Sequence, residues 1–228
     1  MDNLSNELKI SASLLAADFK NFEKEIVEAQ KYGCDEFHFD VMDGIFVPEI
    51  SMGPIVLKSI RNIIKIPIEI HLMVENPENY IHQFTDIGVD IITFHVEASS
   101  NPSEIIKEIK SEGVKVGLAK NPKTSIDEIS EFVSLVDRIL VMCVEPGYSG
   151  QEFDTNSENS LKEINNLLIK KNIKDLVNIS VDGGINSSTI KICKNAGVQI
   201  FVSGSSIFGD GNVRSNIMSL KNSLRNKS

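Results

Sequence analysis

The chain has 228 residues, of which 41% are apolar and 24% charged, a composition that suits a folded globular protein and excludes a disordered or low-complexity one. Its formal net charge of −9 argues against a nucleic-acid surface, because binding a phosphate backbone takes clustered Lys and Arg. No run approaches the roughly 20 apolar residues of a membrane span. The polar start Met1-Asp2-Asn3-Leu4-Ser5-Asn6-Glu7 lacks the apolar core of a secretory leader. Three widely spaced cysteines, Cys34, Cys143 and Cys193, have no zinc-finger spacing, so a reduced, cytoplasmic protein is expected.

In chain order, strand-like and helix-like segments alternate. Strand-like runs fall at 8–14, 36–42, 66–73, 90–96, 115–119, 138–144, 177–182 and 199–203. Helical patterns follow, among them 18–31, 77–87, 102–112, 125–135, 157–170 and 187–195. Asn76-Pro77, Asn101-Pro102 and Asn186-Ser187-Ser188 supply caps or first-turn prolines. Gly33, Gly88, Gly113 and Gly197 close helices and lead into the next strand. Eight strands, each followed by a helix, predict parallel pairing through right-handed crossovers. In 228 residues this suits one closed (β/α)8 TIM barrel domain spanning 1–228. The rival, an open doubly wound sheet, is disfavoured because no Gly-x-Gly-x-x-Gly follows the first strand.

Three strands end on polar residues where apolar ones would otherwise continue. The second ends His38-Phe39-Asp40-Val41-Met42-Asp43, the third Glu69-Ile70-His71-Leu72-Met73 and the seventh Val181-Asp182. Strand side chains alternate faces, so His38, Asp40 and Met42 share one face with an inward direction, while Phe37, Phe39 and Val41 face the helices. Asp43 has the other parity and is expected to tie the following loop. Burying unpaired carboxylates is costly. Two acids beside two imidazoles make sense around a cation, and an N2O2 set suits Zn, Fe, Mn or Co better than Ca or Mg. His38, Asp40, His71 and Asp182 are therefore the expected metal ligands, with zinc the leading expectation. Asp40 and Asp182, on the second and seventh strands, are placed on roughly opposite sides of a ring. Two such acids flanking a flat substrate could remove a proton on one face and deliver one on the other, inverting a carbon next to a carbonyl.

Glycine-rich turns follow the last three strands: Gly147-Tyr148-Ser149-Gly150, Gly183-Gly184 and Gly204-Ser205. Late-strand turns of this kind commonly hold a phosphate in a barrel. No Walker-type Gly-Lys-Ser/Thr is present, so a nucleotide is not indicated.

These motifs together resemble the ribulose-phosphate 3-epimerase family over nearly the whole chain, from Ile10-Ser11-Ala12-Ser13 to Val202-Ser203-Gly204-Ser205. The resemblance implies a ribulose-phosphate-binding barrel that interconverts D-ribulose 5-phosphate and D-xylulose 5-phosphate in the pentose phosphate pathway. It implies one divalent metal on His38, Asp40, His71 and Asp182 that stabilises a cis-enediolate. Asp40 and Asp182 would exchange the C3 proton as acid and base. Ser13, His71, Met42, Met73 and Met142 would surround the substrate. Gly147, Tyr148, Ser149, Gly150, Gly183, Gly184, Gly204 and Ser205 would take its phosphate. A homo-oligomer, dimer or hexamer, is also implied, with a ketose phosphate as the small-molecule partner. The chain departs from the family pattern at Ala12, Glu49, Lys120 and Tyr148-Ser149, which leaves pentose against hexose preference open. The alternatives are a D-allulose 6-phosphate epimerase of the same family, a related lyase barrel, and a non-catalytic sugar-phosphate-binding barrel. The lyases carry Asp-x-Lys-x-x-Asp, and Asp40-Val41-Met42-Asp43 has no lysine there. A non-catalytic barrel has no need of both acids and every ligand. His95 and Glu97 end the fourth strand on one face, either orienting a ligand or bonding structurally. Residues 44–53 could fold over the substrate, with Phe46 and Pro48 excluding water.

Overall fold

The structure, a computed structural model, describes residues 7–148 and 150–225. Strands β1 (Lys9–Ser13), β2 (Glu36–Met42), β3 (Ile68–Met73), β4 (Ile91–His95), β5 (Lys115–Lys120), β6 (Arg138–Met142), β7 (Asn178–Asp182) and β8 (Ile200–Ser203) close into a parallel barrel in sequence order. Around them lie helices α1 (Phe22–Lys31), α2 (Pro54–Ile60), α3 (Ile81–Thr85), α4 (Pro102–Ser111), α5 (Ile126–Ser130), α6 (Ser157–Lys170), α7 (Thr189–Asn195), α8 (Ser205–Phe208) and α9 (Val213–Arg225). None of the described helices is long and apolar enough to cross a membrane.

The expected elements hold, with adjusted ends. Strand 36–42 and helix 157–170 match residue for residue. Other strands lose one or two residues at an end, and the fifth gains Lys120. The expected helix 77–87 is a 3₁₀ turn at Pro77–Tyr80 followed by α3, entered through a left-handed Asn76. The helix expected at 125–135 stops at Ser130, but its start is a full capping box between Ser125 and Glu128. Helix α9 is not among the expected elements. It buries Val213, Ile217, Leu220 and Leu224, a helical spacing that gives one apolar stripe.

Alternation divides the barrel into two chemistries. Outward residues such as Phe37, Phe39, Ile70, Phe94 and Phe201 join the helices in one continuous apolar core. The inward layer is largely polar: Ser11, Glu36, His38, Glu69, Thr93 and Arg138 are each no more than 3% exposed. Arg138 grips both Glu36 carboxylate oxygens, at 2.7 and 2.9 Å, and donates to Glu69 at 2.7 Å. This ion cluster fills the barrel below the site. Gly117 makes room for it, since a Cβ there would collide with the Thr93 hydroxyl. At the N-terminal face one device repeats at every second strand junction. Asp35, Asp90, Asp137 and Gln199 accept a hydrogen bond from the amides of Ile10, Ile68, Val116 and Ile179, at 2.8–2.9 Å. Each satisfies a strand donor that the ladder leaves open.

Candidate metal and sugar-phosphate site

Strand register assembles the site. It sets Asp40 beside His71 and Met42 beside Met73 across β2 and β3, Ser13 beside His38 across β1 and β2, and Met142 beside Asp182 across β6 and β7. His38 Nε2, His71 Nδ1 and Asp40 Oδ1 lie 3.1 Å apart pairwise. Asp182 Oδ2 is 3.7 Å from the first and 3.9 Å from the second. One donor atom from each of the four residues lies within 4.8 Å of all the others. These two nitrogens and two oxygens converge from three strands on one point, as a divalent N2O2 cation requires. Strands β1 and β8 separate β2 from β7 by the shorter path, three steps in a ring of eight, so the two acids come from roughly opposite sides of the barrel, as expected, and converge at its mouth.

The environment drives the two carboxyls apart. Burial pushes Asp182 up to about 7 against the pull of His38, and the Asp40 and Glu69 charges add to the rise. Burial opposes ionisation of Asp40 too, but the His38 and His71 imidazoles outweigh it and hold that carboxyl far below the usual range. The Ser13 hydroxyl donates to Asp40 Oδ2 at 2.7 Å. A pair of acids with opposed proton affinities suits one proton donor and one acceptor. Beneath them, Glu69 takes the Nδ1–H of His38 at 2.9 Å, and Arg138 and Thr93 hold Glu69 in turn.

Ser13, Asp40, Met42, Met73, Met142 and Asp182 line the cavity at the C-terminal mouth together with Gly147, Tyr148, Gly150, Gly183, Gly184, Gly204 and Ser205. His38 and His71 lie beneath it, fully buried. Ser149 lies outside the described residues. Gly184 has a positive φ of 66°, and a Cβ there would collide with the backbone nitrogen of Phe153, so only glycine fits this turn. Gln151, not among the expected residues, also lines the cavity and ties its loop by donating to the carbonyls of Glu145 and Tyr148 at 2.7 and 3.0 Å. Its place directly after Gly150 is the available signal.

The 44–53 segment packs over the mouth. Phe46 and Val47 join Met42 and Met73 in an apolar cluster, and Pro48 and Val47 crowd the space beside Gly147. Asp43 ties this loop as expected, accepting from the amides of Ile45, Phe46 and Glu75 at 2.8–2.9 Å. Lys120 points out of the barrel interior, where its ammonium donates to the Asn121 carbonyl and the Ser160 hydroxyl. It therefore takes no part in the site.

The fold and this donor set define a (β/α)8 barrel with a candidate metal centre at its mouth. Residues 9–208 match the Ribulose-phosphate 3 epimerase family. The ribulose-phosphate 3-epimerase of Bacillus subtilis is 37% identical over 95% of this chain and 99% of its own length. That of Methanocaldococcus jannaschii is 40% identical over 94% and 90%. The chain belongs to the ribulose-phosphate 3-epimerase family. Among solved structures, 3-hexulose-6-phosphate synthase superposes with a TM-score of 0.72 at 16% identity, covering 95% of this chain and 99% of that one. KGPDC from Streptococcus mutans gives 0.69 at 13%, covering 96% and 98%. At those identities the likeness is one of fold alone.

Proposed function

We propose that the protein inverts C3 of a ketose phosphate, interconverting D-ribulose 5-phosphate and D-xylulose 5-phosphate as in the pentose phosphate pathway. The observation that carries this reading is the convergence of Asp40 and Asp182 with His38 and His71 at the barrel mouth. Relatives similar over nearly the whole chain carry the name of that activity. The phosphate lies against the amides of the turns at Gly147–150, Gly183-Gly184 and Gly204-Ser205, a cradle that glycine keeps open. Met42, Met73 and Met142 border the reacting carbons with soft, uncharged surface. Ser13 holds Asp40. One of the two acids accepts the C3 proton while the other delivers a proton to the opposite face, and the reverse direction exchanges their roles. His38, Asp40, His71 and Asp182 would hold a divalent cation, zinc first, with iron, manganese or cobalt as alternatives. Such a cation supplies Lewis-acid stabilisation of the negative charge that develops on the ketose oxygens.

The first test compares ribulose 5-phosphate with allulose 6-phosphate, before and after chelation. We expect faster turnover of the pentose, lost on chelation and regained with Zn²⁺, Fe²⁺, Mn²⁺ or Co²⁺. Preference for the hexose moves the substrate and keeps the chemistry. No turnover of either sugar with any of these ions sinks the epimerase reading.

The protein is further read as one barrel domain that self-associates as a dimer or hexamer in the cytoplasm. Its described cysteines are free and buried, in keeping with a reducing compartment. Ile45, Ile50 and Ile55, 68–82% exposed on and beside the mouth loop, are the apolar side chains that self-association would cover. Light scattering on the purified chain is expected to give a multiple of its 25.2 kDa mass, and a monomer at micromolar concentration rejects this.

A further inference from the structure

The two candidate ligand histidines are anchored differently. His38 donates its outer N–H directly to an acid, Glu69. His71 touches no acid on its outer side. Its Nε2 lies 2.8 Å from Nε2 of His95. The ring planes are 20° apart and the centroids 5.0 Å, so the imidazoles meet nearly edge to edge, as an in-plane N–H···N bond needs. His95 Nδ1 in turn lies 3.3 Å from Glu97 Oε2. His95 is fully buried, and the Phe46 ring lies against it at 5.0 Å. The Glu97 side chain is 20% exposed. Its other oxygen accepts from the Asn121 amide at 2.8 Å and from the Thr124 hydroxyl.

We propose that Glu97 is a positioning residue that acts through His95 to fix the tautomer of His71 and so aims a bare Nδ1 at the metal site. An ionised carboxylate only accepts hydrogen bonds. Glu97 therefore accepts a hydrogen bond from His95 Nδ1–H, which leaves His95 Nε2 as an acceptor. That nitrogen accepts a hydrogen bond from His71 Nε2–H, and the lone pair of neutral His71 is left on Nδ1, among the ligand atoms of His38, Asp40 and Asp182. With both rings neutral, only this arrangement satisfies the contacts from His71 Nε2 through His95 to Glu97, and it leaves the 3.1 Å approach of His71 Nδ1 to Asp40 Oδ1 without a proton, to be bridged by the cation. Reversing it puts a proton on His71 Nδ1, where a cation would have to sit. Acids and carbonyls behind ligand histidines commonly set the tautomer in this way. Here the acid works at one remove, from two residues beyond the end of β4. The inference rests on the metal reading above.

The test is Co²⁺ and Zn²⁺ affinity of the full chain, by competition with a chromophoric chelator, together with the visible spectrum of the Co²⁺ form. Glu97→Gln keeps size but offers a single acceptor oxygen. With that oxygen on the Asn121 amide, the NH2 group faces His95 and forces the reversed chain. We expect Glu97→Gln to weaken Co²⁺ binding by about 10- to 100-fold, the usual cost of losing such a partner, and to shift the Co²⁺ bands. Glu97→Asp, still an acceptor only, should restore most of the affinity. In a His95→Phe background, adding Glu97→Gln should cost nothing more, because the acid acts through that ring.

Binding by the Gln variant within twofold of the parent, an Asp variant as weak as the Gln one, or additive losses in the double variant each overturn the proposal. Nitrogen NMR of the Zn²⁺-loaded parent tests it without any variant. Protons are expected on His95 Nδ1 and His71 Nε2, and a proton on His95 Nε2 overturns it. A parent that binds neither ion overturns the metal reading and this inference together. A parent that binds tightly beside an equally tight Gln variant removes only the role of Glu97.

Discussion

Asp182→Asn is expected to lower epimerisation by about 10³-fold or more while sugar-phosphate binding persists, because each positioned acid or base contributes on the order of 10² to 10⁴ in rate and inversion cannot be completed with one. Asn keeps the shape of the side chain but cannot accept the proton. The proposed phosphate cradle lies on other residues, so affinity for the sugar should change far less than turnover. Metal content needs to be measured alongside, since Asp182 supplies one of the four converging oxygens and nitrogens. Deuterium exchange from solvent gives the sharper reading. With Asp182 disabled, Asp40 still reaches one face of the sugar, so one epimer should exchange its C3 proton without inversion. Asp40→Asn should exchange only the other epimer. Exchange of both epimers in the Asp182 variant would mean that a single base serves both faces. Near-normal turnover would remove Asp182 from the chemistry altogether.

Arg138→Met should cost about 3–5 kcal/mol of stability, the usual penalty for stripping one partner from a buried ion cluster. Arg138 is 3% exposed, Glu36 3% and Glu69 1%. Its guanidinium bonds both acids at 2.7–2.9 Å. Burial works against ionising Glu69, and Arg138, followed by His38, outweighs it and keeps the carboxyl far below its usual range. Removing the guanidinium strands two carboxylates in the barrel axis. For a chain of this size the loss corresponds to a fall in Tm on the order of 10 °C. Urea denaturation should show the midpoint moving with little change in slope. Adding Glu36→Gln should recover part of the loss, since it removes one uncompensated charge. A penalty below about 1 kcal/mol, the scale of an exposed pair, would mean that water or protonation relieves the layer. The cluster also bears on the site, because Glu69 holds His38.

Much of this protein is legible in its residues because the signals are local. Period-2 alternation in His38-Phe39-Asp40-Val41-Met42 separates inward from outward side chains without reference to any partner, and the strand there matches to the residue. Asn-Pro starts and closing glycines mark the repeated units. The same parity brings His38, Asp40, His71 and Asp182 to one end of the barrel. What stays hidden is non-local. Arg138 reads as an ordinary strand start, and its partners Glu36 and Glu69 stand 102 and 69 residues away in the chain. The chain from Glu97 through His95 to His71 is visible only as two polar residues on one face, since the neighbouring ring lies 24 residues earlier. The pleat of a strand dictates, from the order of residues alone, which side chains face inward and at which end of each strand they sit. Which of those side chains touch depends on the folded ring, because its closure and register set distances between strands that no local pattern encodes.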